Sequence, residues 1–413
     1  MTDAQPQGNN IKKNIAYGTV GAAFYYAFQW LVLIIVVKIA GYAVAGLYSL
    51  ATSVTAAPTV VAAYSMRNFQ VSDVKEEYRD RDYFDSRIAS SILSLIICLV
   101  MIFVGGYSLG KSLIILAYMG FKIVEGFADF FYALEQKEDR LDYSGISMIM
   151  RGVGYFVCFV AGYKITNDLF LTLLICTAFS LAVIVLFDRT ILKRIRKRVR
   201  GSFDGKKVFR LLVVCAPLAF VAFMNNLAVM LPRLFLEKYF GEEIMGYYSS
   251  VSSPTLVIQM FATNFFAPYV LILTDRFERG EKKAFLKIIY KFFTIAAGLT
   301  VVAVAAAFLL GDWVLVLIFG KEIHDYTFLL IPVILMTVLM AANSCLLGIC
   351  TLMRILKEQY LRGIVGVTVS FVSSLLLVKR FELMGVVYAT GIAILAQMIM
   401  QIYDISRKVR EMK

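Results

Sequence analysis

Apolar residues run along this chain in long unbroken blocks, with short polar segments between them, rather than in the strict alternation of half-buried strands. The blocks fall near residues 15–37, 43–65, 88–105, 112–134, 146–163, 168–187, 211–236, 244–273, 285–310, 326–350, 361–378 and 384–403. Each reaches or approaches the length a helix needs to cross roughly 30 Å of hydrocarbon. The pattern predicts an all-α polytopic membrane protein of about 12 transmembrane helices, here called spans 1 to 12.

Charge gives the blocks a direction. With the N-terminus placed inside, and cations near the end of a block counted with the segment beside it, the inward segments hold 33 of the 42 Lys and Arg residues and the outward ones hold 8; Lys122 alone remains, near the middle of a span. Such sorting predicts that both termini are cytoplasmic. It also divides the chain into a tail (1–14), a first bundle (15–187), a basic linker (188–207), a second bundle (208–403) and a C-terminal tail (404–413). The linker is the longest basic run, and its Ile191, Ile195 and Val199 recur every four residues, so part of it is expected to lie on the inner leaflet as an amphipathic helix. The first apolar block has no small-residue cleavage site after it and is expected to stay as a helix.

Composition adds that 60% hydrophobic residues exceed what a soluble chain of 413 residues buries in cores. The net charge of +13 is explained by topology and attraction to anionic membrane lipids, so nucleic acid is not expected as a partner. Six cysteines all fall inside spans at no metal-ligand spacing, which argues against disulfides and zinc.

Placed over itself at an offset of 200, the chain aligns Lys38, Gly41, Gly46, Tyr48 and Ser49 with Lys238, Gly241, Gly246, Tyr248 and Ser249. The match relates span 2 to span 8 and, by extension, spans 1–6 to spans 7–12 in the same orientation. That is a parallel repeat, and it predicts two six-helix bundles around a central cavity.

Catalytic patterns fail. Gly105 to Ser112 fits the phosphate-loop spelling G-x-x-x-x-G-K-[ST], but it joins two spans on the predicted external face, without the strand and helix that aim backbone N–H groups at phosphates. His324 is the single histidine, so histidine-based triads and paired zinc ligands lack parts. The first external turn, around Lys38–Ala43, holds no acidic pair of the kind a polytopic glycosyltransferase would need. The segment after span 2 lacks the Gly-rich, Asp-Arg pattern of the major facilitator superfamily. No enzyme activity and no cofactor are expected.

Polar groups at bilayer depth are costly and therefore informative. In span 4, Lys122, Glu125 and Asp129 fall within about 60° of one another on one helical stripe. That stripe either lines a lumen or holds span 4 to a neighbour through a self-satisfied Lys122–Glu125 pair. Gln29, Asn225, Asn226, Gln259, Asn264 and Asn343 add neutral polar groups, which bond helix to helix or line a path. Pro58, Pro217, Pro232, Pro254 and Pro268 fall in spans 2, 7 and 8, where they kink helices or free carbonyls.

Three stretches carry a family resemblance. Arg67-Asn-Phe-Gln-Val-Ser-Asp73, Ala133-Leu-Glu-Gln-Lys-Glu-Asp-Arg140 with Gly145-Ile-Ser and Arg151-Gly, and Leu231-Pro-Arg233 through Gly241 with Gly246-Tyr-Tyr-Ser249 resemble Wzx-type polysaccharide flippases. The segment ending in Phe319-Gly320-Lys is similar too. Those flippases belong to the multidrug/oligosaccharidyl-lipid/polysaccharide exporter superfamily. Leu231-Pro232 stands where some relatives have an acidic residue before the arginine.

The resemblance implies a transporter of the bacterial cytoplasmic (inner) membrane. It would move an undecaprenyl-diphosphate-linked oligosaccharide from the inner to the outer leaflet by alternating access, for capsule, O-antigen or another surface polymer. Polysaccharide polymerase and glycosyltransferases are then expected partners, and H⁺ or Na⁺ coupling through Glu125 or Asp129 is compatible. Substrate binding is expected at Lys122 in mid-span and Arg233 toward the external mouth, with Arg67 and Arg151 near the cytoplasmic entrance and Gln29, Asn225, Asn226 and Gln259 along the path. The alternatives are a cation-coupled multidrug antiporter of the same fold and a non-transporting membrane scaffold for polysaccharide assembly.

Overall fold

A computed structural model describes residues 7–73, 77–196, 203–255, 269, 272–355 and 357–411, with the backbone alone described at 7–16, 68 and 196. The described residues contain helices and no strand. In order they are α1 (Gln7–Ala63), α2 (Met66–Ser72), α3 (Asp80–Gly105), α4 (Leu109–Lys137), α5 (Leu141–Thr166) and α6 (Leu169–Val183). A π-turn at Ile184–Asp188 leads into α7 (Arg189–Arg196), then come α8 (Gly205–Ser252) and α9 (Lys282–Phe319). A 3₁₀ segment (Lys321–Leu329) precedes α10 (Leu330–Leu352) and α11 (Lys357–Glu411).

Eight helices among the described residues are long and apolar enough to cross a membrane. Three of them hold two spans each: α1 breaks at Gly41, α8 at Gly241 and α11 at Glu382. The eight do not include α4, whose Lys122, Glu125 and Asp129 make it too charged, and adding it brings the spans to twelve. Large side chains left on the outside, such as Phe103, Phe308 and Leu309, suit a hydrocarbon surround. The protein is a multi-pass membrane protein. Residues 256–268 lie outside the described residues, and with them Gln259, Asn264 and Pro268.

The backbone shows the repeat more widely than the side chains do. Gly41 (φ 83°, ψ 175°) and Gly241 (φ 84°, ψ −178°) adopt one conformation, which in practice only glycine tolerates. Later positive-φ residues fall at corresponding positions, at offsets of 214 and 215: Gly106 with Gly320, Asp139 with Arg354, and Asn167 with Glu382, although ψ differs within the first and third of these pairs. The turns at Asp139 and Arg354 are the same Schellman cap. Arg140 N donates to Glu135 O at 2.8 Å and Ile355 N to Cys350 O at 2.9 Å, while Asp139 N reaches Gln136 O and Arg354 N reaches Thr351 O. The rise in offset from 200 to 214 places 14 additional residues in the second half between Ser249 and Gly320.

The chain divides into two compact units, Met1–Ile39 with Leu50–Phe223, and Ala40–Ser49 with Met224–Lys413. In the first, span 1 packs on α5 through glycines. A Cβ at Gly21 would meet the backbone of Gly145, and one at Gly152 would come 2.9 Å from the Cα of Tyr25. Between apolar helices in lipid, van der Waals approach of this kind stands in for a hydrophobic driving force. The same contact recurs in the second unit, where a Cβ at Gly363 would lie 2.9 Å from the Cβ of Met224, again with Ser370 Oγ donating to Ala228 O at 2.5 Å.

Residues Ala40–Ser49 join the second unit by a reciprocal contact. An added Cβ at Gly46 would overlap the Glu242 carbonyl, and one at Gly246 would overlap the Tyr42 carbonyl, so position 46 meets the repeat counterpart of 42, and position 42 that of 46. Tyr42 stacks on Tyr247 at 4.0 Å between ring centroids, Tyr247 stacks on Tyr326 at 4.2 Å, and Tyr42 Oη donates to Phe319 O at 3.0 Å. Gly46→Val and Gly246→Val should each lower the stability of detergent-purified protein by about 1–3 kcal/mol through overpacking. Gly110→Val, at a glycine with open space around it, should leave the melting temperature unchanged. Equal melting temperatures for all three variants would refute the reciprocal contact.

Candidate functional site

The site is built on α4, because its sequence puts two carboxylates and an ammonium on one stripe and the first unit supplies partners for each. Lys122 Nζ lies 2.7 Å from Glu125 Oε2. Its ammonium also sits over the rings of Tyr118 and Phe121 at 5.5 and 5.4 Å, within cation–π range. Gln29 of span 1 donates to Glu125 Oε1 at 3.4 Å and to Tyr25 Oη at 2.7 Å. The Lys122–Glu125 pair expected from the i, i+3 spacing is therefore present, and Gln29 completes it from a second helix.

Two turns along α4, Asp129 takes two arginines. Arg67 Nη1 lies 2.9 Å from Oδ1, and Arg87 Nη2 lies 3.4 Å from Oδ2. The two cations differ in setting: the Arg67 side chain is 32% exposed and also donates to Gln136 Oε1, whereas that of Arg87 is 1% exposed. The second donor of Arg87 goes to Ala63 O, the last residue of α1, at 2.9 Å. Ser90 and Ser94 continue up the same face of α3, donating to Ala62 O and Pro58 O. One face of α3 thus caps the Ala62 and Ala63 carbonyls, which have no partner further along their own helix, and adds a second bond to the Pro58 carbonyl one turn earlier.

Arg151 is buried, with a 3% exposed side chain, and lies 3.4 Å from Asp188 Oδ2 at the π-turn that ends span 6. It also donates to Ser180 O. Its bonds go to protein groups inside the first unit, where a position at a cytoplasmic entrance was expected. Asp188 is itself fully buried. Arg362 and Asp404 repeat this arrangement in the second unit at 3.6 Å, and each arginine precedes a glycine that packs on the first span of its half.

In the second unit, the amides form a chain rather than a charge cluster. Gln397 Nε2 donates to Asn225 Oδ1 at 3.1 Å, and Asn343 Nδ2 donates to Gln397 Oε1 at 3.2 Å. Gly366 leaves the room for Gln397, since a Cβ there would overlap the amide. Asn226 is the next residue on α8. Arg233 is half-buried with its guanidinium 5.7 Å from the ring centroid of Tyr248. No group of three or more His, Cys, Asp or Glu side chains able to hold a metal ion occurs among the described residues.

Sequence reasoning missed Arg87, Asp188, Arg362, Asp404 and Gln397. Arg87 was assigned to the polar segment before a span opening at residue 88, yet α3 begins at Asp80 and encloses it. A signal for the two buried pairs was present: Arg151-Gly152 and Arg362-Gly363 recur in spans 5 and 11, and Phe187-Asp188 and Tyr403-Asp404 recur at the ends of spans 6 and 12.

Twelve spans in two repeated halves, with polar groups at bilayer depth, define the class of a polytopic membrane protein of two six-helix bundles. Several solved structures of membrane transporters share this fold. The MATE multidrug transporter DinF-BH has a TM-score of 0.68 at 14% identity, covering 98% of this chain and 97% of that one. The eukaryotic MATE transporter AtDTX14 gives 0.67 at 14% identity, over 97% and 98%. A MOP superfamily transporter from Pyrococcus furiosus, described as having reversed polarity of its binding pocket, gives 0.59 at 12% identity, over 98% and 99%.

The chain belongs to the polysaccharide biosynthesis protein family, which it matches over residues 11–272. A curated relative is the capsular polysaccharide biosynthesis protein CapF of Staphylococcus aureus, 24% identical over 323 residues, which are 77% of this chain and 80% of that protein.

Removing Arg87 leaves an Asp129 carboxylate and the end of span 2 short of a partner in a buried place. Arg87→Ala is therefore expected to cost about 3–5 kcal/mol. Arg67→Ala should cost clearly less, because that pair is partly exposed. In a double-mutant cycle on melting temperatures, Arg87→Ala with Asp129→Ala should cost less than the two single changes added together. Strict additivity would show that the two side chains do not pair.

Proposed function

We propose that this protein exports the lipid-linked repeat unit of a surface polysaccharide, moving an undecaprenyl-diphosphate-linked oligosaccharide from the inner to the outer leaflet of the bacterial cytoplasmic membrane. Both termini lie in the cytoplasm on this reading, and no covalent bond of the cargo is made or broken. The observation that carries it is the charge of the α4 stripe: three cations, Arg67, Arg87 and Lys122, share two carboxylates, Asp129 and Glu125. The stripe rises about 10 Å from Asp129 to Lys122. A diphosphate is the complementary cargo, since it needs cations where water is scarce and its hydrocarbon tail can stay in the bilayer.

Within the stripe, Arg67 is the cation that a headgroup meets first, because it is the more exposed partner of Asp129. Lys122 comes next, and an anion reaching it competes with Glu125 for the same ammonium. Glu125 is then the carboxylate to carry a coupling H⁺ or Na⁺, because an anion that takes Lys122 releases its one cationic partner, while Asp129 keeps Arg87 even if Arg67 turns to the headgroup. Each negative charge that leaves a negative-inside cell gains about 2.3 kcal/mol per 100 mV, so the membrane potential itself favours export. Gln29, Asn225, Asn226, Gln259 and Arg233 serve the glycan or the external end of the path, and Arg151 holds the end of span 6 in place. Polymerase and glycosyltransferases supply and consume the cargo.

A cation-coupled multidrug antiporter is the second reading, favoured by the MATE folds among the structural neighbours. The paired state of Glu125 and Asp129 weighs against it, because a cationic drug would find no free carboxylate on this stripe.

The test is complementation of a cell lacking the protein. Lys122→Ala and Arg67→Ala should each reduce surface polymer about tenfold or more, the cost of a lost charged hydrogen bond to the anion. Amounts of protein in the membrane should not change, and Lys122→Arg should keep part of the activity. Full export by both alanine variants would remove the stripe from the mechanism. Changed drug susceptibility with unchanged polymer would favour the antiporter.

A further inference from the structure

The face of α4 opposite the polar stripe opens on a cavity of about 740 Å³ in the first unit. Val124, Phe127 and Phe131 lie about 160° around the helix from Lys122, Glu125 and Asp129. These apolar residues line the cavity together with Phe84 of α3, Ile184 of the π-turn and Leu192 of α7. Three cations share the lining, Arg81 of α3 and, one helical turn apart, Arg189 and Lys193 of α7. The cavity is therefore separate from the stripe assigned to the cargo.

We propose that it binds an anionic phospholipid of the adjacent leaflet, with the phosphate among Arg81, Arg189 and Lys193 and an acyl chain along the phenylalanines. Charge complementarity commits the site to this occupant. Arg81 is partly neutralised by Asp85 at 2.9 Å, but Arg189 and Lys193 are exposed and take no ion pair among the described residues. A wholly apolar guest would leave those cations unused, and a free phosphate would leave the aromatic floor unfilled. The volume falls inside the range of about 300–1,000 Å³ usual for small-molecule sites. It suits a phospholipid better than a long polyprenyl carrier with its glycan. Basic pockets between membrane helices at the cytoplasmic side recognise anionic headgroups in this way.

The position of α7 gives the site a consequence. Leu192 is buried in the core that also contains Phe130, Phe131 and Ile184, so a lipid held there ties the basic linker to α3 and α4. The linker joins the two halves of the chain, and its anchoring then depends on the acidity of the membrane.

The experiment uses the full chain in phosphatidylcholine vesicles doped with a phosphatidylglycerol bearing a diazirine on its acyl chain. Crosslinks after illumination are mapped by mass spectrometry. Labelling is expected on α4 between Val124 and Phe131 and on α7. The double variant Arg189→Gln/Lys193→Gln should weaken it by about fivefold for each cation removed, the weight of one basic residue at an anionic surface. Val124→Phe, which fills the cavity and leaves α7 intact, should also lower it. Equal labelling by a diazirine phosphatidylcholine, or loss of the label to inorganic phosphate alone, would overturn the proposal. So would labelling that survives both variants.

Discussion

Arg87 is the joint on which the polar interior of the first unit depends. Its guanidinium is buried and divides its bonds between the Ala63 carbonyl at the end of α1 and Asp129 on α4. A charge in hydrocarbon is tolerated only where the protein supplies its partners. That requirement fixes three elements at once: the end of span 2, the face of α3 that carries Ser90 and Ser94, and the rotation of α4 about its axis. With α4 set, Asp129 stands within reach of Arg67, and Glu125 stands where Gln29 of span 1 can donate to it. The stripe is a consequence of the joint as much as of its own sequence.

The two halves meet the same demand with different chemistry. Backbone turns and the Arg–Asp pairs at 151/188 and 362/404 are repeated, so the scaffold problem, which is how to hold spans 5 and 6 or 11 and 12 together at their ends, has one solution used twice. Between those fixed points the content differs. The first unit places Lys122, Glu125 and Asp129 on its fourth span, and the second places Asn343 there, joined through Gln397 to Asn225. Amides satisfy one another without the desolvation cost of a charge, so the second unit spends less stability on its interior and offers less to an ionic cargo.

Much of this was legible in the sequence because lipid imposes one-dimensional rules. Span number follows from apolar length, and the Lys122–Glu125 pair from helical spacing. The relation of Gly41 to Gly241 follows from an offset of 200. What was not legible is tertiary. Asp188 is 37 residues from Arg151, and Asp129 is 42 residues from Arg87, distances at which spacing carries no information. Arg87 was counted among cations at the membrane edge, because hydropathy sees a polar residue before a block and cannot see that the helix encloses it. The repeat was read from one turn alone, since beyond Gly246 the offset moves to 214 and 215 and a fixed shift loses the register. Left-handed backbone at Asp139 and Arg354 preserves the correspondence where the side chains do not.

The helix α4 shows why such a site resists being read from composition. It fails the usual test for a membrane span because one stripe is charged, and its other faces compensate with aromatic packing through Phe121, Phe130, Phe131 and Tyr132. Its neighbours α2, α3, α5, α6 and α7 all touch it, and Gln29 of α1 donates to it. A span flanked by so many elements can carry charges that an edge helix cannot, since a charge on its polar stripe finds a partner on the element it faces. Centrality in the unit is thus the physical condition for the stripe. The stripe marks the helix around which the first six spans are organised.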